Sequence, residues 1–335
     1  MFSDHDLAWR GRSCLNVIQK TPPHLTSQPK PSPPPTLPHP IPPNIPPPKM
    51  AFETQATIPS FGGKLLKLTH EDSSVGCTMA LNLYLPPQAF VKDASKIPVL
   101  IYLSGLTCTG DNCAEKGFFQ AAASGRGIAV VYPDTSPRGL TIPGSETSWD
   151  FGTGASFYLN ATTPLYTPNY QMYSYITTSL PSALFSSFPV LDPTRVSITG
   201  HSMGGHGALT LFLKNPGKYK SVSAFAPICN PSQCPWGEKA FTGYLGEDRE
   251  SWKGSDATEL VKGWEGTLDV LIDVGTGDGF YKQGQLLPEN FVEAAKGKGV
   301  EGVVVRYQDG YDHSYFFIST FARDHVEHAA KYLFA

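Results

Sequence analysis

The chain has 335 residues, 40% of them hydrophobic and 16% charged, with a formal net charge of −3. That length holds one large domain or two ordinary ones, with ample apolar sequence for a sizeable core. The slightly acidic balance and the lack of any Lys/Arg cluster argue against a nucleic-acid surface, and no apolar run approaches the ~18 residues of a membrane span. The six cysteines (Cys14, Cys77, Cys108, Cys113, Cys229, Cys234) show neither C-x-x-C pairs nor disulfide-scaffold density. A reducing, cytoplasmic setting fits that usage.

Residues 1–49 read as a leader outside the fold. Between Thr21 and Pro48, 14 of 28 positions are proline, a run that lacks backbone donors and stays extended or disordered. Met1–Lys20 is too polar for a signal peptide. Asp4 and Asp6 count against a mitochondrial address, while Arg10, Arg12 and Ser13 count for one. Met50 is an alternative start. The arm reads as a spacer more readily than as a ligand for SH3 or WW domains, and residues 50–335 as one catalytic domain.

From Phe61 the pattern turns globular. Thr78–Leu85 alternates, placing Met79, Leu81, Leu83 and Leu85 on one face, and predicts a half-buried antiparallel strand at the sheet edge. Pro98–Leu103 and Ile128–Tyr132 are solid apolar strands, with a helix predicted over Glu115–Gly125 between them. Alternation continues: Tyr170–Phe185 helical, Arg195–Thr199 strand, Gly205–Lys214 helix, Ser221–Ala226 strand. After an irregular insertion at Asn230–Gly263 come Leu268–Val274 strand, Pro288–Lys298 helix, Gly302–Tyr307 strand and a closing helix over Ser314–Leu333. Solid apolar strands separated by helices predict a mostly parallel central sheet with helices on both faces.

Within this pattern Gly200-His201-Ser202-Met203-Gly204 joins an apolar strand to a helix. A G-x-S-x-G turn in that context is a nucleophile elbow of the α/β-hydrolase fold. Ser202 must adopt a strained backbone that lifts its hydroxyl clear of the sheet, and side chains at positions 200 and 204 would collide. A serine hydroxyl needs a base, and the base a group that holds its tautomer. In this fold the order is Ser, acid, His, at successive strand ends. Asp278, in the loop after the strand ending at Val274, fits the acid, while Asp273 lies within the strand and reads as structural. His313, just past the last strand, fits the base. His325 and His328 fall in the closing helix and read as exposed. Asp312 adjoins His313 too closely in sequence to face it. The loop Ser104–Thr109 stands where the second oxyanion donor arises, so the backbone N–H groups of Leu106 and Met203 are the expected oxyanion hole. His201 and His206 flank the elbow, but no third zinc ligand accompanies them.

Together these residues resemble the S-formylglutathione hydrolase (esterase D) family across about Phe61–Tyr332. The blocks are SGLTCT (104–109), PDTSPRG (133–139), SWDFGTGASFY (148–158), GHSMGGHGAL (200–209), NPGKYKSVSAFAPICNP (215–231), CPWGEKAF (234–241), GQLLPENF (284–291) and GYDHSYFFI (310–318). The resemblance implies cleavage of the thioester S-formylglutathione to formate and glutathione through a formyl-serine, with no metal or organic cofactor, in a homodimer. It places Met50 near the usual start of such chains. Cys108, Trp149, Asp150, Phe151 and Trp236 lie in shared blocks and are candidates for the substrate pocket, with core packing as their other reading. Cys108 is in addition a candidate for sensitivity to thiol reagents. Ester hydrolysis, acyl transfer and an inactive scaffold remain the other functions open to this fold.

Overall fold

The computed structural model describes residues 51–93 and 95–335. The expectations for residues 1–49, Met50 and Cys14 lie outside them. The described residues form one sheet of nine strands: β1 (Glu53–Ser60), β2 (Gly63–Asp72), β3 (Cys77–Leu85), β4 (Ile97–Leu103), β5 (Ala129–Pro133), β6 (Leu191–His201), β7 (Val222–Phe225), β8 (Val270–Gly275) and β9 (Val303–Gln308). They lie in the order β1-β2-β3-β5-β4-β6-β7-β8-β9. Pairing is antiparallel from β1 through β3 to β5 and parallel from β5 onward.

The central strands are apolar on both sides because both faces are covered. All of β4 and β5 is buried. Successive strand residues point to opposite faces. Thus Tyr102 meets Phe119 edge-on at 5.0 Å, while Leu103 lies against Gly207 of the helix Met203–Lys214. That helix and the closing helix Tyr315–Leu333 both pack on β4, β6 and β7. The carboxyl ends of β4, β6, β8 and β9 lead into the loops of Ser104, Ser202, Asp278 and His313.

Four expectations change. β3 is antiparallel, but it is an interior strand between β2 and β5; β1 and β9 are the edges. The sheet starts before Phe61, because β1 and β2 precede β3 as a hairpin. β1 is mostly exposed on both faces, so it carries no apolar alternation to reveal it. The stretch predicted as one helix at Glu115–Gly125 is two, Gly110–Lys116 and Phe119–Arg126. Thr109 and Asn112 form a capping box that starts the first helix early, and Phe118 at φ 55° breaks it from the second. The insertion expected to be irregular carries helices at Pro235–Leu245, Arg249–Trp252 and Ala257–Val261. The last two are capped by the carboxylates of Asp248 and Asp256.

Ser60 pairs with Gly63, so the β1–β2 turn is only Phe61-Gly62, and both have positive φ (44° and 75°). Such a two-residue turn favours Asn-Gly, whereas Phe61 is a bulky residue there, half exposed. Phe61→Asn should therefore stabilise the protein by about 0.5–1 kcal/mol, a rise of about 1–3 °C in a thermal melt. A lower melting temperature would show that the Phe61 ring contributes more than its backbone strain removes.

Candidate active site

Ser202 sits at the tip of the elbow with φ 57° and ψ −119°, the strained geometry its position demands. A Cβ on Gly200 would lie 2.2 Å from the Gly204 carbonyl oxygen, and one on Gly204 2.0 Å from that of Leu103. Glycine is obligatory at both. The Ser202 N–H donates to the Phe225 carbonyl at 2.9 Å, which anchors the elbow to β7. The following helix begins at Met203 rather than near Gly205, so Met203 N–H is one of the free donors of its first turn.

Asp278 is fully buried. One of its oxygens accepts from the N–H groups of Phe280 (2.7 Å) and Tyr281 (3.3 Å). The other lies 2.5 Å from Nδ1 of His313. That contact places a proton on Nδ1 and leaves Nε2 as the acceptor. The two loops approach closely because they are glycine-rich. A Cβ on Gly275 would lie 2.2 Å from the Tyr311 carbonyl oxygen, and one on Gly277 2.5 Å from that of Gly310. Gly277 N–H also donates to the Tyr311 carbonyl at 2.8 Å.

The loop after β4 lies against the serine: a Cβ on Gly105 would stand 3.1 Å from Cβ of Ser202. Among the described residues the Leu106 and Met203 N–H groups donate to no other backbone carbonyl or side chain, which leaves both free for an oxyanion. His201 is buried with its ring 4.4 Å from that of His313. Burial, and then the neighbouring His313, hold it well below the usual imidazole range, so it remains neutral. His206 is held down to about 4 by burial, and its Nε2 meets the Phe157 carbonyl at 3.1 Å.

The pocket candidates divide. Trp236 packs edge-on against Phe280 at 4.7 Å, and Phe280 against His313 at 4.9 Å. Trp149, 54% exposed, meets Trp236 at 5.4 Å, so an aromatic run leads from the surface to His313. Phe280, two residues past the acid, had no signal in the sequence beyond that position. Phe151 turns inward, stacked on Tyr244 at 4.6 Å. Asp150 pairs with Lys239 and accepts from Ser148. The Cys108 thiol is partly buried and its pKa is raised chiefly by that burial, which keeps the thiolate fraction small.

Two histidines read as exposed prove otherwise. His325 is fully buried, its Nε2 3.0 Å from Asp273. His328 is largely buried with Nε2 3.1 Å from the Val222 carbonyl. Ile318, Ala322, His325 and Ala329 recur at helical spacing on the buried face of the closing helix, which carries His325 inward. Asp273 is structural, bound by Arg306, Gln308 and His325. Asp312 accepts from the N–H (2.9 Å) and the hydroxyl (2.7 Å) of Ser314, the N-cap of the closing helix.

Residues 73–328 match the family model Esterase, described as "Putative esterase". An S-formylglutathione hydrolase of Bos taurus is 55% identical over 285 residues, covering 85% of this chain and 99% of its own length. One from Arabidopsis thaliana is 50% identical over 274 residues, 82% of this chain and 95% of its own. A solved S-formylglutathione hydrolase from Agrobacterium tumefaciens superposes with a TM-score of 0.79 at 44% identity, covering 84% of this chain and 99% of that one. The chain belongs to the S-formylglutathione hydrolase family.

As a member of that family the chain is a hydrolase with the α/β-hydrolase fold. Among the described residues no helix is long and apolar enough to cross a membrane, and no three His, Cys, Asp or Glu side chains are grouped to hold a metal. The five described cysteines are free.

Proposed function

We propose that the protein cleaves S-formylglutathione to formate and glutathione, with Ser202 as nucleophile, His313 as general base and Asp278 as its orienting acid. The observation that carries the residue roles is the contact at 2.5 Å between buried Asp278 and part-buried His313, at the same sheet end as the strained Ser202. His313 Nε2 takes the Ser202 hydroxyl proton as Oγ attacks the formyl carbon. The resulting oxyanion accepts from Leu106 and Met203 N–H groups. The C–S bond then breaks and His313 returns the proton to the departing glutathione sulfur. A water, deprotonated by the same imidazole, attacks the formyl-serine, releasing formate and restoring Ser202.

Two further features support the reading. A thiolate is an easier leaving group than an alkoxide, so oxyanion stabilisation and a single base suffice. The aromatic run Trp149–Trp236–Phe280 gives the glutathione portion an apolar wall ending at His313. The family resemblance adds a cytoplasmic homodimer to the proposal; light scattering on purified protein tests the dimer. Comparing kcat/KM for S-formylglutathione with that for short acyl esters tests the substrate. A higher value for the esters would replace the thioester reading with a general carboxylesterase.

Cys108 is part of the same proposal. Cys108→Ala should keep most activity, because little volume is lost, and should resist N-ethylmaleimide. A variant inactivated as fast as the parent would remove Cys108 from the pocket.

A further inference from the structure

The block PDTSPRG contributes no group to the proposed reaction and SWDFGTGASFY only Trp149 to its aromatic wall, yet both converge on the back of the loop Ser104–Thr109. The Cys108 carbonyl accepts two hydrogen bonds, from Thr135 Oγ1 at 2.5 Å and from Arg138 Nη2 at 3.0 Å. Arg138 is itself held through Nε, which donates to both oxygens of Asp134 at 2.8 and 3.0 Å. Asp134 is buried, and its N–H is tied to the Ala80 carbonyl of β3 at 3.1 Å. The guanidinium therefore bridges an anchored carboxylate and the loop backbone, a two-sided role its fork geometry permits.

The second block grips the same loop from another side. Thr107 N–H donates to the Gly154 carbonyl at 2.9 Å, and Tyr158 OH donates to the Ser104 carbonyl at 2.9 Å. The two blocks are joined to each other. Gly154 N–H donates to Ser136 Oγ at 2.8 Å, and Ser156 Oγ donates to the Thr135 carbonyl at 2.5 Å. Thr107, Phe157 and Tyr158 all carry positive φ (67°, 51° and 50°), conformations that persist only where the surroundings over-determine them. Loop residues on both sides of Leu106 are thus fixed, while the Leu106 N–H is left free.

From this network we infer that Arg138 and Thr135 are positioning residues that aim the Leu106 N–H at the oxyanion. Neither touches the reacting atoms. The inference rests on the assignment of Leu106 and Met203 to the oxyanion hole. Its consequence follows from geometry: a donor displaced by about 1 Å loses on the order of 10²-fold in rate, because stabilisation is needed where charge develops and not where the substrate rests.

The test compares the parent with Arg138→Lys, Thr135→Val and Thr135→Ser. A lysine keeps the charge but loses the planar fork that reaches Asp134 through Nε and the Cys108 carbonyl through Nη2. Three readings are taken on each: kcat and KM for S-formylglutathione, inhibition by a thioether trifluoromethyl ketone that forms a tetrahedral adduct with the serine, and melting temperature. Arg138→Lys and Thr135→Val should lower kcat by ~10–100-fold with KM little changed. They should weaken the ketone by a matching factor without lowering the melting temperature, and Thr135→Ser should restore the parent values. Were Arg138→Lys too unstable to assay, the Thr135→Val and Thr135→Ser pair decides alone. Unchanged kcat in folded variants overturns the inference, as does a loss confined to KM or one that leaves ketone affinity intact. Ser202→Ala serves as the control on the underlying reading: ketone bound as tightly by Ser202→Ala would show that the serine assignment fails, whatever Arg138 does.

Discussion

Ser202→Ala is expected to lower kcat for S-formylglutathione by about 10⁵–10⁶-fold, the loss typical of a removed triad nucleophile. The fold should be untouched. The elbow's strain belongs to the backbone at φ 57°, and alanine tolerates that no worse than serine. The Ser202 N–H bond to Phe225 is likewise main-chain. His313→Ala should do comparable damage, and the double variant little more than either alone, because nucleophile and base act as a unit. His325→Ala is the informative control. It too removes an imidazole hydrogen-bonded to an aspartate, but that aspartate is Asp273, a different partner from the one that holds His313. It should lower stability and leave kcat near the parent value at temperatures where the variant is folded. Equal losses of kcat in well-folded His325→Ala and His313→Ala would put the assignment of the base to His313 in error.

The sequence carried most of this arrangement where one residue type is forced by close backbone approach. Gly200 and Gly204 could be read in advance because any Cβ collides with carbonyl oxygens about 2 Å away. The order of acid and base followed from the fold's topology. What escaped was set by burial from distant elements. β1 shows no apolar face because it is a mostly exposed edge. Asp134 and Arg138 are an ordinary-looking pair four residues apart, and only the folded chain brings the Cys108 carbonyl between their reach and that of Thr135. His325 was a different kind of miss, since its spacing from Ile318, Ala322 and Ala329 already put it on the apolar stripe. A polar residue on such a stripe has to be buried with a partner, and Asp273 is that partner.

That partnership carries the second large effect. Asp273 is fully buried and joins four elements: it accepts from Arg306 Nε at 2.7 Å, from Gln308 at 2.9 Å and from His325 at 3.0 Å, while its own carbonyl accepts from Ala226 N–H at 2.7 Å. Burial alone would raise its pKa, but the bonds from His325 and Arg306 outweigh it and hold the group down to about 2. Burial keeps His325 below its ordinary value despite that carboxylate, so the imidazole is neutral and donates through Nε2. Asp273→Asn removes the charge and leaves the part-buried Arg306 facing a neutral amide. Breaking a fully buried pair from one side destabilises by about 3–5 kcal/mol; Arg306 is part-buried and keeps Asp324, so about 2–3 kcal/mol is expected, on the order of 5 °C in melting temperature for a domain of this size. The pH dependence fixes the cause. A carboxylate lowered from ~3.9 in the unfolded chain contributes its stability above that value and loses it as pH falls towards about 2. The gap in melting temperature between parent and Asp273→Asn should therefore be full at pH 7 and shrink below pH ~4. His206 and His201, both lowered, act in both proteins alike: the unfolded chain takes up protons below ~6.5 that the folded one refuses, so both melt earlier as pH falls from there. His325 does not cancel, because Asp273 raises it against its burial; without the carboxylate it is lowered further, which adds to the gap below ~6.5 before the titration of Asp273 closes it. A gap that does not shrink below pH ~4 would show that Asp273 is not held ionised by its neighbours, and the ionic account of this cluster would fall.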